Sequence, residues 1–562
     1  DVCSSDLKNN QIPERTYHYK LSYDPISKDF PIHLKNLGFI FLEKIYNDLD
    51  IVSVLSKYKA KKNLQIDLNG LTKLLVLGRI LNPDSKASTF KTKDDYFKRI
   101  VSGAPAMQAI YDTLTALANR SSAIQARMNT RITNSSIGRK TDLTYYDVTN
   151  YYFETMYGDE DILDEDGEIV QLGFRKKGVS KEHRPEPIVQ MGLFMDEHGI
   201  PVSFNLFPGN TQDKTTLTKM LKDGKLMESS RTIVVADNGM HSQENLYLLV
   251  KDGNGYIVSK SVKRCWKSYR EWIEDEGDYQ IIQNTEGEIV FKYKSRIIER
   301  TVSDKEGHKL TIKEKEIVYW SLAHYKREMA QNQKFIEYLE SCKEHPDKLK
   351  DRQRKTAEFI RITQTDPKTG EKLRTRAKVE LNEEKIQKYK DTMGYYMIVT
   401  SEIDTPDREI INKYHGLSRI EDSFRIIKSD LEGRPIYVRT EEHIKAHFLI
   451  CFIALTIIRI LQYKILESQK NTQKKSQKNP QTKSAVQLDT DGWKQGMTAE
   501  RIKKALANYR VNTDKNGVCL IHGFNDDIQE IYKSINVDSR INAPTTNELN
   551  RIIRSIKTTQ IM

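Results

Sequence analysis

The chain has 562 residues, of which 38% are hydrophobic and 30% charged, and its formal net charge is +12 at pH 7. Single cores rarely exceed roughly 250 to 300 residues, so this length predicts several domains and a sizeable buried core. The basic balance favours an anionic partner, most often nucleic acid. Five scattered cysteines without CxxC or Cys/His spacing support neither a disulfide framework nor a zinc site, which indicates a reducing compartment.

The sequence contains one long apolar run, FLICFIALTII, from Phe448 to Ile458. It is too short to cross a bilayer and predicts a buried helix, so no membrane partner is expected. No secretory signal is visible. The chain begins DVCSSDL without an initiator Met, and residues 1–29 are interpreted as a tail or an assembly scar.

Residues 30–135 show helical periodicity in LKNLGFIFLEKIYNDL, in LNGLTKLLVLGRIL and in the Ala-rich stretch ending ALANRSSAIQARM. The turn residues NPDS separate two of these pieces. This pattern predicts a compact helical N-terminal module. The basic stretch KYKAKK, from Lys57 to Lys62, is predicted to be a loop, which either faces DNA or is simply solvated.

From Thr141 onward the chain becomes rich in β-branched and aromatic residues, which are typical of β-strands. DLTYYDVTNYYF predicts a strand, and VQMGLFMDEHGIPVSFNLFPGN a hairpin. The order then continues as helix, strand (RTIVVADNGM), helix and strand (GYIVSK). Such an order predicts a mixed sheet with packed helices, an α/β class compatible with a ribonuclease-H-like core over residues 136–260 and 394–465.

The remaining segments differ in composition. Residues 261–393 are highly charged, with turns at NTEGE, SDKEG and DPKTGE, and predict an inserted β-rich subdomain. Residues 467–483 contain almost no apolar side chains, and residues 466–490 are predicted to form a basic linker. Residues 491–562 predict a small helical C-terminal module.

The stretch YHGLSRIEDSFRIIKSDLEGRP predicts one helix, whose apolar residues recur at the three-and-four spacing of a buried face. They are Leu417, Ile420, Phe424, Ile427 and Leu431. A polar stripe borders this face about a quarter turn away and consists of Tyr414, Ser418, Glu421, Arg425 and Lys428. The spacing leaves open whether this stripe is a solvated flank with a Glu421/Arg425 ion pair or part of a functional site.

Two further acids belong to predicted strands. Asp147 shares a strand face with Leu143 and Tyr145, and Asp237 ends the buried strand IVVA. Ligands bind outside strand ends in open α/β sheets, and an acid within a hydrophobic strand is costly unless it is paired or binds a metal. Turn chemistry before Asn-Gly also accounts for Asp237, and hydrogen bonds from nearby hydroxyls also account for Asp147.

Three acids on separate elements, Asp147, Asp237 and Glu421, suit a two-metal phosphoryl-transfer site. Two divalent ions about 4 Å apart require hard oxygen ligands of this kind. Lys428 and Tyr414 lie two turns to either side of Glu421 and would contact a phosphate backbone in the same groove. His447 is interpreted as a packed or hydrogen-bonded histidine, and Asp142 and Glu154 are interpreted as structural.

At these residues the chain resembles the DDE-type transposases of bacterial insertion sequences, specifically the insertion-sequence-four group and its relatives. Tyr414, Glu421 and Lys428 fit the signature Y-x2-R-x3-E-x6-K, whereas Leu417 stands at the arginine position, where Arg419 or Arg425 would have to substitute. YYDVTNYYFE and VVADNGMHSQENL resemble the motifs around the first and second acids. The likeness covers about residues 140–260 and 395–462.

The resemblance implies a ribonuclease-H-like fold that a β-rich insertion interrupts before the last acid. It also implies Mg²⁺-dependent cleavage of double-stranded DNA at terminal inverted repeats, strand transfer of the 3′-OH ends into target DNA, and a dimeric synaptic complex. Asp147, Asp237 and Glu421 would then hold two Mg²⁺ ions, for which Mn²⁺ can substitute. Tyr414, Lys428 and, less directly, Arg425 would contact the DNA backbone. The expected location is the bacterial cytoplasm, on the nucleoid when DNA is bound.

Two alternatives stay open. The first is a metal-dependent nuclease that cuts DNA without joining it. The second is a DNA-binding protein without catalysis that derives from a transposase, an alternative that Leu417 at the signature arginine position supports.

Overall fold

The structure is a computed structural model that describes most of the chain. The described residues are 34–179, 184–224, 231–262, 267–344, 359–363, 378–476, 496–513, 517–538 and 545–562. The predicted tail 1–29 and the predicted turn DPKTGE lie outside them.

Helices and strands alternate along this part of the chain. The strands are β1 (Lys35–Asn36), β2 (Leu143–Tyr152), β3 (Ile162–Leu163), β4 (Ile169–Gln171), β5 (Ile188–Asp196), β6 (Pro201–Pro208), β7 (Ile233–Ala236), β8 (Gly255–Lys260), β9 (Gln280–Gln283), β10 (Ile289–Ser303), β11 (Lys309–Ser321), β12 (Ile360–Thr363), β13 (Lys378–Leu381), β14 (Tyr395–Thr400), β15 (Arg510–Thr513) and β16 (Cys519–His522). The helices are α1 (Phe39–Asp48), α2 (Ile51–Lys62), α3 (Leu68–Leu81), α4 (Lys86–Lys91), α5 (Gln108–Thr133), α6 (Asp213–Lys222), α7 (Gln243–Lys251), α8 (Lys267–Glu274), α9 (Leu322–Glu344), α10 (Glu383–Asp391), α11 (Asp407–His415), α12 (Ser418–Arg425), α13 (Glu441–Ser476), α14 (Ala499–Asn508), α15 (Asp526–Ser534) and α16 (Thr546–Thr558).

The central sheet has the strand order β6-β5-β2-β7-β8-β14-β11-β10-β9. Its first three strands form an antiparallel meander, and β7 and β8 then add in parallel to β2. Helices α6 and α7 make the connections into the parallel strands, as parallel pairing requires. A meander followed by two parallel strands is the ribonuclease-H-like arrangement, so the predicted α/β class is confirmed.

The strands between β8 and β14 extend this same sheet. β14 pairs with both β8 and β11, and β11 pairs along its whole length with β10. Strands β12 and β13 form a separate two-stranded sheet, beside which Leu339, Phe359 and Ile386 make a small core. The charged segment 261–393 therefore contributes strands to the central sheet and also forms a small separate unit.

Helix α13 carries the long apolar run, and the run is buried as predicted. By length and composition Glu441–Asn471 is apolar enough to cross a membrane, but 94% of its most apolar window is buried inside the protein. It packs against α3 and α5 on one side and against β6 and α15 elsewhere. The helix continues to Ser476, so the predicted linker 466–490 is helical up to that residue, and residues 477–495 lie outside the described part.

The prediction of a loop at KYKAKK is wrong, because Lys57–Lys62 is the last part of helix α2. Leu55 and Tyr58 are buried in the contact between α2 and α5, and Arg120 of α5 lies 4.8 Å from the Tyr58 ring centre. Tertiary packing of one face therefore holds the basic stretch in a helix, a contact that local composition does not reveal.

The N-terminal helices and the C-terminal segment share one core. Strand β1 pairs with β15, and α16 packs against α1. The rings of Phe41 and Tyr532 meet edge to face at 4.9 Å, and the Tyr532 hydroxyl lies 3.1 Å from that of Tyr509. Residues almost 500 positions apart therefore depend on each other for burial.

We predict that Tyr532→Ala lowers the free energy of unfolding by about 3 to 5 kcal/mol, because it leaves a cavity beside Phe41 and removes a hydroxyl partner of Tyr509. Chemical denaturation followed by circular dichroism measures the loss. The control is Tyr157→Ala, whose side chain is 83% exposed and whose effect should stay within about 0.5 kcal/mol. Equal effects of the two variants would contradict a shared N- and C-terminal core.

Candidate functional site

Asp147 and Asp237 occupy equivalent positions on neighbouring parallel strands. The pairing of β2 with β7 runs up to Tyr146 and Ala236, and each aspartate is the next residue. Neighbouring strands lie about 4.8 Å apart, and residues in register share a face. The register therefore places the two side chains next to each other on one face of the sheet, with Asp147 half-buried and Asp237 exposed.

Short local hydrogen bonds orient both carboxylates. The amide of Val148 donates to Asp147 Oδ1 at 2.7 Å, and the amide of Asn238 donates to Asp237 Oδ1 at the same distance. Ser259 of β8 also donates to Asp237 Oδ1, at 2.9 Å. Asp237 thus begins a short 3-10 turn, so the turn chemistry left open by the sequence is present together with a side chain at the strand end.

The predicted single helix from Tyr414 onward is wrong. Tyr414 belongs to α11, Glu421 to α12, and Lys428 to a π-helical turn over Ile426–Asp430. The first break is at Gly416, where a Cβ atom would lie 2.0 Å from the Tyr145 hydroxyl. The π turn displaces Lys428 from the simple stripe, since it inserts an extra residue into the helical repeat.

Helix α12 lies along β2, on the strand face that carries Asp147. Gly416, just before the helix, contacts Tyr145, and Lys428, just after it, places its ammonium 5.4 Å from the ring centre of Tyr151. These two contacts bracket Asp147 on the strand and Glu421 on the helix. Helix α12 therefore packs beside the part of β2 that carries Asp147.

The charges of Glu421 and Asp237 also raise the pKa of the same two tyrosines. Burial raises the pKa of Tyr414, and the charges of Asp237 and Glu421 raise it further. Burial, Glu328 and the same two acids raise the pKa of Tyr396 to about 12. A hydrogen bond with Ser259 lowers the pKa of Tyr414 in part, but burial dominates, so the hydroxyl stays protonated near neutral pH.

A buried arginine holds α12 from the side opposite Glu421. Arg459 of α13 is 0% exposed, and its Nη2 donates to Asp422 at 3.0 Å, to Ser423 Oγ at 2.6 Å and to the carbonyl of Arg419 at 3.1 Å. Burial lowers the pKa of Arg459 to about 10, so it remains a cation and requires the Asp422 carboxylate. Sequence analysis missed this residue, although a lone arginine within an apolar run indicates a buried partner.

The residues proposed to replace the signature arginine already have partners in the protein. Arg419 donates to the carbonyl of Glu197, in the turn between β5 and β6. Arg425 is paired with Asp422 at 2.9 Å and with Asp430 at 3.2 Å. Leu417 is buried against the core.

His447 is buried and hydrogen-bonded, as the sequence predicts. Its Nε2–H donates to the carbonyl of Gly433 at 3.0 Å, and Lys86 Nζ donates to Nδ1 at 3.1 Å. Burial and the neighbouring Lys86 lower the pKa of His447 well below its usual value, which keeps the ring neutral. His447 therefore fixes the chain after the π turn.

Among the described residues, the β10–β11 turn also gathers three possible ligand atoms within 4.8 Å, from Asp304, Glu306 and His308. Asp304 accepts from the His308 amide at 2.8 Å and pairs with its ring nitrogen at 2.7 Å. These bonds within an exposed turn account for the cluster without an ion. Asp147, Asp237 and Glu421 offer three carboxylates and no nitrogen ligand, the ligand type that Mg²⁺ prefers.

Comparison with known proteins gives a family and a distant structural neighbour. The family described as "Transposase DDE domain" matches residues 157–457, a segment that includes Asp237 and Glu421 and begins after Asp147. A cryo-EM structure of a piggyBac transposase synaptic complex with hairpin DNA is similar at 9% identity and a TM-score of 0.30, with 92% of this chain and 85% of that chain covered. No curated protein matches the chain.

We predict that Asp422→Ala lowers the free energy of unfolding by about 1 to 3 kcal/mol, because it leaves the buried Arg459 cation without its partly exposed carboxylate partner. The matched control is the neighbouring Glu421→Ala, which removes an exposed side chain and should change stability by no more than about 0.5 kcal/mol. Chemical denaturation of the two variants measures the difference. A larger loss for Glu421→Ala would reverse the structural roles assigned to these neighbours.

Proposed function

Because this chain belongs to the DDE transposase family, we propose that it cuts DNA at the ends of an insertion sequence and joins the freed 3′-OH ends to target DNA. Members of this family are nucleotidyl-transfer enzymes that act on DNA and generally use divalent metal ions. The parallel register that sets Asp147 beside Asp237, with α12 packed on the same strand, is the observation that supports the proposal most directly.

Asp147, Asp237 and Glu421 would hold two Mg²⁺ ions, with Mn²⁺ as a substitute. The three side chains supply hard oxygen donors from two strands and one helix, which fits these ions. Bound there, the ions supply activation of the attacking hydroxyl and stabilisation of the leaving oxygen. Local hydrogen bonds to Asp147 and Asp237 orient their carboxylates in advance.

The cationic and hydroxyl groups around the acids would bind the DNA backbone. Tyr414 stays protonated beside Asp237 and Glu421 and can donate its hydrogen to a phosphate oxygen. Lys428 lies beyond the other end of α12, so the two contacts would align a strand across the acids. Arg425 would have to exchange part of its ion pairs with Asp422 and Asp430, so its contact should be the weakest.

The rest of the chain would serve recognition and assembly. We assign the reading of the terminal inverted repeats to the helices in residues 30–135 or to residues 491–562, with residues 136–260 and 394–465 as the catalytic core and 261–393 as the insertion. Two copies would form the synaptic complex. The site of action would be the bacterial nucleoid, in the cytoplasm.

We predict that Asp147→Asn, Asp237→Asn and Glu421→Gln each reduce cleavage of DNA carrying the element ends by at least about 100-fold, while DNA binding is retained. Each change removes an oxygen ligand without removing volume. Gel analysis of products with Mg²⁺ or Mn²⁺, together with a mobility-shift assay, measures both properties. The control is Asp142→Asn, an exposed acid at the start of the same strand, which should retain activity. Full activity in any of the three variants would remove that residue from the site.

A second assay separates transposition from its two alternatives. We predict that purified protein joins a precut 3′-OH end to target DNA, because the same site serves cleavage and strand transfer. Labelled donor ends incubated with plasmid reveal joined products. Cleavage without joined products would favour a nuclease, and binding without either reaction would favour a protein that has lost catalysis.

A further inference from the structure

The π turn that carries Lys428 is followed by backbone carbonyls that need partners from outside the helix. The last carbonyls of a helix have no amide partner within it, and they carry a partial negative charge. Three of the four residues at this point are buried, namely Asp430, Leu431 and Gly433. Buried backbone carbonyls are costly unless a donor reaches them, so the end of this turn depends on neighbouring side chains.

Cationic side chains from two distant helices supply most of these donors. Lys503 of α14 donates through Nζ to the carbonyl of Asp430 at 2.8 Å. Arg79 of α3 donates through Nη1 to the carbonyl of Leu431 at 3.3 Å and to that of Glu432 at 3.2 Å. A cation at the carbonyl end of a helix is favoured by the partial charges there, so both contacts stabilise the turn.

The last carbonyl of the series, that of Gly433, accepts from the neutral His447 ring of α13 at 3.0 Å. We call Lys503, Arg79 and His447 the capping residues. They belong to three separate parts of the chain, residues 491–562, 30–135 and 394–465 respectively. The end of the π turn is therefore a point at which both terminal segments and the core meet.

The backbone at this point requires such support. Glu432 has a φ of 45°, in the left-handed region, which a residue with a side chain adopts only at an energetic cost. The amide of Gly433 then donates to the carbonyl of Ile427 at 2.7 Å, which folds the chain back on the turn. A conformation of this kind persists only where surrounding contacts hold it, and the capping residues are those contacts.

Lys428 lies inside the turn, two residues before the first capped carbonyl. Helix α12 holds the turn on one side, and the capping residues hold it on the other. The Lys428 ammonium lies 5.4 Å from the ring centre of Tyr151, which shares a face of β2 with Asp147 because the two are four residues apart. The capping residues therefore help to keep the ammonium over the strand face that carries an acid of the candidate site.

We propose that Lys503 and Arg79 are positioning residues for Lys428, which hold the π turn so that the Lys428 ammonium reaches the DNA backbone. The proposal rests on the proposed function, since it takes Lys428 as a DNA contact. The two cations belong to the two segments to which reading of the DNA ends is assigned. Both segments must then be docked on the turn for Lys428 to be in place. A direct DNA contact by Lys503 is less well matched, because its ammonium donates to a backbone carbonyl within the protein.

A double-variant experiment separates positioning from direct binding. Full-length protein binds a labelled duplex with the element end in EDTA, and fluorescence anisotropy is recorded at increasing KCl. Lys428→Met and Lys503→Met should each lower the slope of log K against log salt by about one. The chain with both changes should show no further decrease, because Lys503 acts through Lys428. Lys503→Arg, which retains a donor for the carbonyl of Asp430, should keep the parental slope.

The matched control is Lys504→Met, the next residue on α14, whose side chain is exposed. Its effect on the slope should be the same in the parent and in the Lys428→Met chain, because it does not contact the turn. Arg79→Met should behave as Lys503→Met does. Circular dichroism checks folding, and if the buried Arg79 proves necessary for it, the half-buried Lys503 decides the result.

Two results would overturn the positioning role alone. They are a parental slope in Lys503→Met, and a further decrease of about one when Lys503→Met is added to Lys428→Met, which would make Lys503 a DNA contact itself. A parental slope in Lys428→Met would instead remove the DNA contact assigned to that lysine under the proposed function, and the positioning role with it. Cleavage by the acid variants is scored separately, so failure of the acid site is distinguishable from either result.

Discussion

Parallel pairing between β2 and β7 is the constraint on which the site depends, because it alone sets Asp147 level with Asp237. Backbone hydrogen bonds fix this register, and buried Val234, Val235 and Ala236 prevent β7 from slipping. A shift of one residue would turn Asp237 to the opposite face of the sheet. In the pairing of β7 with β8, Ser259 lies beside Asp237, and its hydroxyl donates a hydrogen bond to the Asp237 carboxylate. The pairing registers of β2 with β7 and of β7 with β8 therefore determine where all three polar side chains lie.

The position of Glu421 depends on a different kind of force. Strand pairing cannot hold an exposed acid on a short helix, and α12 has only eight residues. Its rotation is set by apolar contacts of Ile420 and Phe424 on one flank and by the Arg459 cation on another. Because Arg459 is fully buried, any rotation that moves Asp422 away carries a large electrostatic cost. Asp422, which stabilises the fold, and Glu421, which is assigned to catalysis, are therefore neighbours in sequence with different roles.

Local sequence patterns predict most of the helices and strands of the core and identify the candidate acids. The alternating strands, the β5–β6 hairpin and the buried run of α13 follow from periodicity and turn residues. The break at Gly416 was not predicted, and at this position the backbone packs closely on the Tyr145 hydroxyl, 271 residues earlier in the chain. Tertiary contacts also determine the helical state of KYKAKK, the pairing of β11 with β14 and the contact between Arg459 and Asp422. The sequence shows which residue types are available to the candidate site, whereas contacts between distant residues determine how the helices position them.

Helix α13 joins these distant contacts into one body. It packs on the N-terminal helices, on β6 and on the C-terminal α15, and it carries both Arg459 and Gln462. Gln462 accepts from Arg459 at 3.0 Å and donates to the carbonyl of Met497 at 3.1 Å. The C-terminal segment is therefore two hydrogen bonds away from the cation that orients α12. Because these groups are buried, a displacement of that segment would leave polar atoms unpaired beside the helix that carries Glu421, so the terminal segments and the acid site must be stabilised together.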